Sequence, residues 1–422
     1  MRLLYTLLFY LLIPFILLRL YWRGFKSPEY RQRWTERLAF YQQKNLRNVI
    51  WIHAVSVGEA EAVFPLVKRL QVIYPSCNFL VTTTTPTGST RVKAVLGTAV
   101  SHVYLPYDLP PVVKRFLAVF KPKIAIIMEK EIWPNLYAQC VENNIPLMII
   151  NARLSANSAK GYKKIPALIR PALANVVWVL TQTEEDKQRF IDIGAAQDNV
   201  AVSGNLKFDL TVSPGFIQQA HKIKADSFAG RFVWIIASTH EHEERIFLEI
   251  LPQLKKQIPE LLLVIVPRHP ERFTLVKQLA ESLQFQTCMR STGQPCAAET
   301  EVYIADTMGE LKLLYGAADV SFVGGSMVPV GGHNTLEPAV MGVPIVFGPH
   351  MINFKEIANN MLATGAAIQC HSKEEIINTM VQVHADGEYR ASLVSNANAF
   401  VGKNQGATEK TIEIIHGLLS RQ

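Results

Sequence analysis

The chain opens on an uncharged apolar run, Leu3 to Leu18 (LLYTLLFYLLIPFILL), and then changes to short apolar segments alternating with helical spacing. As a helix the run would span about 24 Å at roughly 1.5 Å per residue, short of the roughly 20 residues of a bilayer crossing. Tyr21 and Trp22 follow at the interfacial position, and a basic cluster comes next. No small-x-small cleavage site follows, so an uncleaved anchor is expected over a signal peptide. It either spans with help from its flanks or lies deep in the cytoplasmic leaflet.

Residues 27–45 have helical spacing, and NVIWIHAV (48–55) reads as a buried strand. A helix follows, with Ala60, Val63, Phe64, Val67 and Leu70 at intervals of three and four. The rhythm repeats through CNFLVTTTT (77–85) with a turn at Pro86–Gly88, SHVYLPY (101–107), KIAIIME (123–129), PLMIINAR (146–153), VVWVLTQT (176–183) and VAVSGNLKF (200–208). After a break near Thr211–Gly215 a second series runs through FVWIIAST (232–239), LLLVIVPR (261–268), VYIAD (302–306), ADVSFVGG (318–325), VPIVFGP (343–349) and AAIQC (366–370). Residues 386–420 are helical by spacing. Strands alternating with helices predict parallel sheets covered on both faces. The expectation is α/β: an anchor over 1–24, then two doubly wound, Rossmann-like halves over 25–212 and 213–422, facing a cleft. The final helix has the option of returning to the first half. Ligands belong beyond the carboxyl ends of the strands.

Composition adds little to the fold. With 49% hydrophobic and 18% charged residues the chain is an ordered globular protein. Its five cysteines are scattered, with no C-x-x-C pair, which excludes a disulfide framework or a structural zinc site. Charge is more informative. Nearly all of the formal excess of +8 sits at one end, where Arg2, Arg19, Arg23, Lys26, Arg31, Arg33, Arg37, Lys44 and Arg47 face only Glu29 and Glu36. That clustering beside an apolar run suits inner-membrane lipids, not nucleic acid. Arg31 and Arg33 are candidates for recognising an acceptor phosphate bidentately.

Polar motifs gather at the strand ends. VSVGEAEA (55–62) sets Glu59 after a strand at a helix start, as a functional carboxylate or a plain N-terminal cap. IIMEKEIWPN (126–135) puts Glu129 and Glu131 after an apolar run, where burial without a partner is costly. GNLKFD (204–209) contributes Lys207. STHEHEE (238–244) offers Ser238, Thr239 and His240 before a helix, a suitable seat for a phosphate. Arg268 and His269 follow the next strand in PRHPERF, and DTMGEL (306–311) and GGHNTLEPAVMGVP (331–344) complete the set. There Asn334 and Glu337 read as ligand groups or as a capping box.

These blocks, from YRQRWTERL through HAVSVGEA, TTTTPTGS, MEKEIWPN, NARLSANSAKGY, GNLKFD, STHEHEE, PRHPERF, DTMGEL and GGHNTLEPA to GPHMINFKEI, resemble the bacterial 3-deoxy-D-manno-octulosonic acid (Kdo) transferases. The resemblance runs from the anchor to about residue 360. It departs at His242, where the family pattern has a glycine. The resemblance implies a GT-B-type inverting glycosyltransferase at the inner membrane, facing the cytoplasm, that moves Kdo from CMP-Kdo to a lipid A precursor. It implies Glu59 as general base, with Glu129 and Lys207 stabilising the transition state. The implied CMP contacts are Arg268, His269, Met308, Gly309, Glu310, Asn334, Thr335, Leu336 and Glu337. Ser56, Gly58, Thr84 and Pro86, from the same blocks, are expected at the acceptor.

No cofactor and no metal are expected, since the chain has no D-x-D triplet and a monophosphate leaving group needs less charge compensation than a diphosphate. Two other readings stay open: a transferase of the same architecture using a UDP-sugar, and a non-catalytic nucleotide-binding membrane scaffold.

Overall fold

The computed structural model describes residues 1–42, 46–210 and 212–420; Lys44, Thr211 and the side chain of Lys26 lie outside the described residues. Residues divide into two compact units, Met1–Asp209 with Asn404–Gln422, and Leu210–Lys403.

In the first unit seven strands form one parallel sheet: Val49–His53 (β1), Asn78–Thr83 (β2), Ser101–Tyr104 (β3), Pro122–Met128 (β4), Leu147–Ala152 (β5), Val176–Thr181 (β6) and Val200–Val202 (β7). Their order is β3-β2-β1-β4-β5-β6-β7. Successive β1 side chains feed opposite cores, Val49 and Trp51 one and Ile50 and Ile52 the other, which is why the strand reads as an unbroken apolar run. The order in which strands are added across the sheet reverses between β1 and β4, the switch point at which open α/β sheets bind ligands. The last helix, Ala407–Leu419, buries Ala407, Ile412 and Ile415 in this unit's core. Asp209 fixes its start by accepting the Gly406 N–H at 2.7 Å and that of Thr408.

The second unit holds Phe232–Thr239 (β8), Leu261–Pro267 (β9), Thr287–Met289 (β10), Val302–Ile304 (β11), Val320–Val323 (β12), Ile345–Phe347 (β13) and Ile368–Gln369 (β14). The order is β10-β11-β9-β8-β12-β13-β14, again all parallel, with the reversal between β8 and β12.

Three local expectations are corrected. Residues 27–45 do not form an α-helix: the described part is two 3₁₀ turns, Pro28–Arg31 and Trp34–Leu38. Arg33 (φ 54°) and Ala39 (φ 59°) are left-handed, which no continuous helix accommodates. Pro86–Gly88 is the first turn of the helix Pro86–Leu96, capped by the Thr85 hydroxyl accepting the Gly88 N–H at 3.1 Å. The helix Pro214–Phe228 lies where only a break in rhythm was read.

The N-terminal helix is Arg2–Lys26. Its Arg2–Phe25 stretch, mean hydropathy 2.2, is long and apolar enough to cross a membrane by length and composition, a test that signal sequences also pass.

Candidate active site

At the carboxyl end of the first sheet, Glu59 sits in the opening turn of the helix Val57–Ile73 and is buried. Oε2 accepts the Val55 N–H at 2.8 Å, and Ser56 Oγ donates to Oε1 at 3.4 Å. These local bonds are those of a cap, so the capping reading of Glu59 holds in geometry. Its electrostatics go further. Burial first, then the neighbouring Glu129 and Glu131, push its pKa up from 4.5 to about 8. A cap is most useful ionised; this carboxyl is held near neutrality, where a general base works best.

Glu129 ends β4 in a left-handed conformation (φ 58°), with its N–H donated to Ile150 O at 3.0 Å. Non-glycine residues there are uncommon and such strain gathers at functional sites. Lys207 lies in the turn Leu206–Phe208, whose Leu206 packs in one core with Ala60 from the Glu59 helix. Asn151 at the end of β5 holds that turn by accepting the Leu206 N–H at 3.0 Å. Thus Glu59, Glu129 and the Lys207 turn come to the same end of one sheet. Gly58 is the second residue of the helix, not a turn glycine, and a Cβ there would meet nothing. Thr84 hangs on Val55, its N–H and hydroxyl both donating to Val55 O at 3.2 Å, and Pro86 is buried behind it.

The basic cluster divides. Arg33 forks onto Glu36 at 2.7 and 2.9 Å, and donates to Ser89 Oγ at 3.1 Å and His102 O at 2.9 Å. Arg37, expected at lipid heads, is buried; it donates to Thr84 O at 2.7 Å and lies 4.4 Å from the centre of the Tyr104 ring. Both arginines brace the loop framework, and their guanidinium donors are largely spent inside the unit. Arg31 lies over the Tyr21 and Phe25 rings at 4.4 and 4.0 Å.

In the second unit, Ser238 (φ 60°), Thr239 and His240 follow β8. His240 and His333 stack at 5.1 Å with Nε2 atoms 2.9 Å apart, one ring donating to the other, and His269 stands edge-on to His240 at 5.5 Å. Burial, then His240, Arg268 and His269, take the His333 pKa down to about 4. His240 is lowered too, by burial and then by His269, Arg268 and Arg272. The part of this depression that comes from the neighbouring cationic groups marks a field that favours an anion. Gly331 (φ 110°) and Gly332 (φ 69°) both donate N–H to Gly325 O, at 3.1 and 2.8 Å, drawing two loops together; Asn353 and Met351 would collide with a Cβ at either. Beside β11, Glu310 is engaged bidentately by Arg290 at 3.1 and 2.9 Å, while Met308 is exposed and Gly309 (φ 88°) is open to solvent. Asn334 accepts the Leu336 N–H at 3.0 Å and donates to Glu337 at 3.3 Å. The helix there, Leu336–Val340, is too short for a strong dipole, so Asn334 and Glu337 act as side chains and not as a helix-terminus site.

The family model described as 3-Deoxy-D-manno-octulosonic-acid transferase (kdotransferase) matches residues 32–210. A 3-deoxy-D-manno-octulosonic acid transferase of Haemophilus influenzae is 38% identical over 423 residues, covering 100% of this chain and 99% of that one. The chain belongs to the Kdo transferase family. A second relative bearing that name, from Bordetella pertussis, is 34% identical over 88% of this chain and 87% of its own length. At the level of fold alone, the UDP-GlcNAc 2-epimerase of Neisseria meningitidis is similar, with a TM-score of 0.57, 16% identity, and coverage of 89% of this chain and 100% of that one. Two parallel α/β lobes of this kind are consistent with a GT-B-like fold.

Within this Kdo transferase-family chain, two residues outside the sequence-based site, Glu243 and Asn151, and one inside it, Thr335, are prominent. Glu243, fully buried, accepts N–H groups from Gly325, Ser326 and Met327 at 2.7, 3.1 and 2.9 Å and from His240 at 3.3 Å. It thereby organises the loop after β12 against the His240 turn. Asn151 Nδ2 and Thr335 Oγ1 are buried without a partner among the described residues, a donor and a hydroxyl at the two strand-end sites. All three lie in motifs already quoted from the sequence. Finally, His242 has φ 71°, in the left-handed region, which is the physical reason the family pattern has glycine there.

Proposed function

We propose that this chain is an inverting glycosyltransferase moving Kdo from CMP-Kdo to a lipid A precursor at the inner membrane, with both units on the cytoplasmic side. The first unit handles the acceptor and the second the CMP moiety. Glu59 takes the proton of the acceptor hydroxyl as that oxygen bonds to the anomeric carbon. The bond from the anomeric carbon to the phosphate oxygen breaks, and CMP leaves with the electron pair. Glu129 and Lys207 stabilise the transition state, and Arg268, His269, Ser238, Thr239 and His240 balance charge on the departing phosphate. Met308 to Glu310 and Asn334 to Glu337 hold the nucleotide. One observation carries the reading: a buried carboxyl at the switch point of the first sheet whose pKa stands at about 8.

The test incubates the purified chain with a tetra-acylated, bis-phosphorylated lipid A precursor and either CMP-Kdo or UDP-sugars, with EDTA present, and weighs the products. Mass increments of Kdo from CMP-Kdo alone are expected, undiminished by EDTA. Transfer from a UDP-sugar would favour the alternative donor, and no transfer from any donor would favour the scaffold.

A further inference from the structure

The N-terminal helix has two unlike faces. On one, Tyr5, Phe9, Ile13 and Leu20 are half-buried and Gly24 is buried. Phe9 and Ile13 pack against the core of the first unit. Polar bonds reinforce that face near its start: Tyr5 Oη donates to Asp108 Oδ2 at 3.0 Å, and Asn135 Nδ2 donates to Thr6 Oγ1 at 3.0 Å. Asp108 is itself buried, accepting the N–H groups of Asn135 and Leu136 at 3.0 and 2.7 Å. At the far end, Arg31 of the same unit lies on Tyr21 and Phe25. The amino-terminal half of the helix is therefore held by the body of the first unit, and its far end by the turn that follows it.

The opposite face is a stripe of large apolar side chains. Leu3, Leu7, Leu11, Phe15, Leu18 and Trp22 are 81%, 62%, 69%, 69%, 56% and 70% exposed. At about 100° per residue they fall on one side, roughly opposite Tyr5, Phe9 and Ile13. Arg19, also exposed, stands at the flank of the stripe near its carboxyl-terminal end, while Arg23 is on the Tyr5 side, 5.6 Å from the Tyr30 ring centre. A helix crossing a bilayer would carry its first turn to the far side, away from Asp108 and Asn135. Keeping those bonds while spanning would drag buried polar groups into hydrocarbon. A cleaved leader would leave Asp108 without the Tyr5 hydroxyl.

We propose that the helix lies in the membrane plane, clamped between the first unit and an anionic lipid leaflet. The Leu3–Trp22 stripe sits in the acyl layer, and Arg19 at its flank meets the phosphate head groups. This goes beyond the proposed transfer reaction and stands whatever the sugar donor is.

The test uses the full chain in vesicles of phosphatidylethanolamine and phosphatidylglycerol. Spin labels are attached one at a time at Leu3→Cys, Leu7→Cys, Leu11→Cys, Phe15→Cys, Leu18→Cys and Trp22→Cys, with unsubstituted protein as background. All six labels are expected at one common depth, about 5–10 Å below the head groups. A depth that peaks near positions 11–15 and falls toward both ends would overturn the proposal, as would labels in water throughout. A second measurement avoids substitution: epitope tags at the two termini should share the same protection from external protease in intact spheroplasts. Tags on opposite sides would overturn the in-plane helix.

Discussion

The two units use one scaffold for opposite electrostatics. Each places its site where a parallel sheet reverses order. In the first, three carboxyls gather, and burial together with the carboxylate neighbours raises Glu59 and Glu131. In the second, burial and then the neighbouring arginines and His269 lower His240 and His333, in a field that favours an anion. The fold fixes only where a site can form; on the proposed function, the sign of the local field assigns the acceptor to the first unit and the nucleotide to the second.

Removing the first field's central group has the largest expected effect. Glu59→Gln should lower turnover by about 10²–10⁴-fold, with CMP affinity in equilibrium titration nearly unchanged. The same variant has a stability signature. Because the folded pKa of Glu59 is raised, the stability of the protonated form is complete below about 4.5 and lost as pH rises through about 8. Glutamine cannot ionise, so the melting temperature of E59Q should gain on the parent across that window. A constant difference would show that Glu59 does not titrate there.

The second field is tested by Arg268→Ala. CMP affinity should fall about tenfold to hundredfold, from losing about 1.5–3 kcal/mol of charge-assisted hydrogen bonding. Unchanged affinity by calorimetry would take Arg268 out of the anion site. A smaller effect is expected for Glu243→Ala, which leaves three loop N–H groups without their acceptor. Each orphan costs about 1–3 kcal/mol unless water reaches it, so the melting temperature should drop by several degrees with a modest loss of CMP affinity. The smallest shift is in the pH profile of Glu129→Gln, separate from the loss of turnover that its transition-state role entails. Glu129 ranks behind burial in raising Glu59, so the kinetic pKa should move down, by less than about one unit. A rise would reverse the assigned coupling.

Much of this was legible in the chain. FVWIIAST reads as a strand and is β8, because both faces of a central parallel strand are buried. The edge strand β10 carries only half-buried residues, and the helix Pro214–Phe228 buries just Ala220 and Phe228; neither leaves a strong pattern. Spacing over 27–45 suggests a helix because two successive 3₁₀ turns repeat every three residues, close to the helical period. In the site, the place of Glu59 follows from one short motif. Its pKa does not, since the carboxyls that raise it arrive from beyond β4. Glu243 reads as an ordinary acid in a first helical turn, and its partners come from a loop more than 80 positions on. Arg33 and Arg37 read as membrane charges because nothing local reveals Glu36, Ser89 or Thr84 as their partners.

The contrast between the two fields rests on Glu59, and the pH dependence of kcat/KM for transfer from CMP-Kdo tests it most directly. Between pH 6 and pH 8 the rate constant should climb about tenfold per unit and then level off near the Glu59 pKa of about 8, with that limb absent in E59Q. A profile already flat from pH 6 upward would contradict a base held at that pKa.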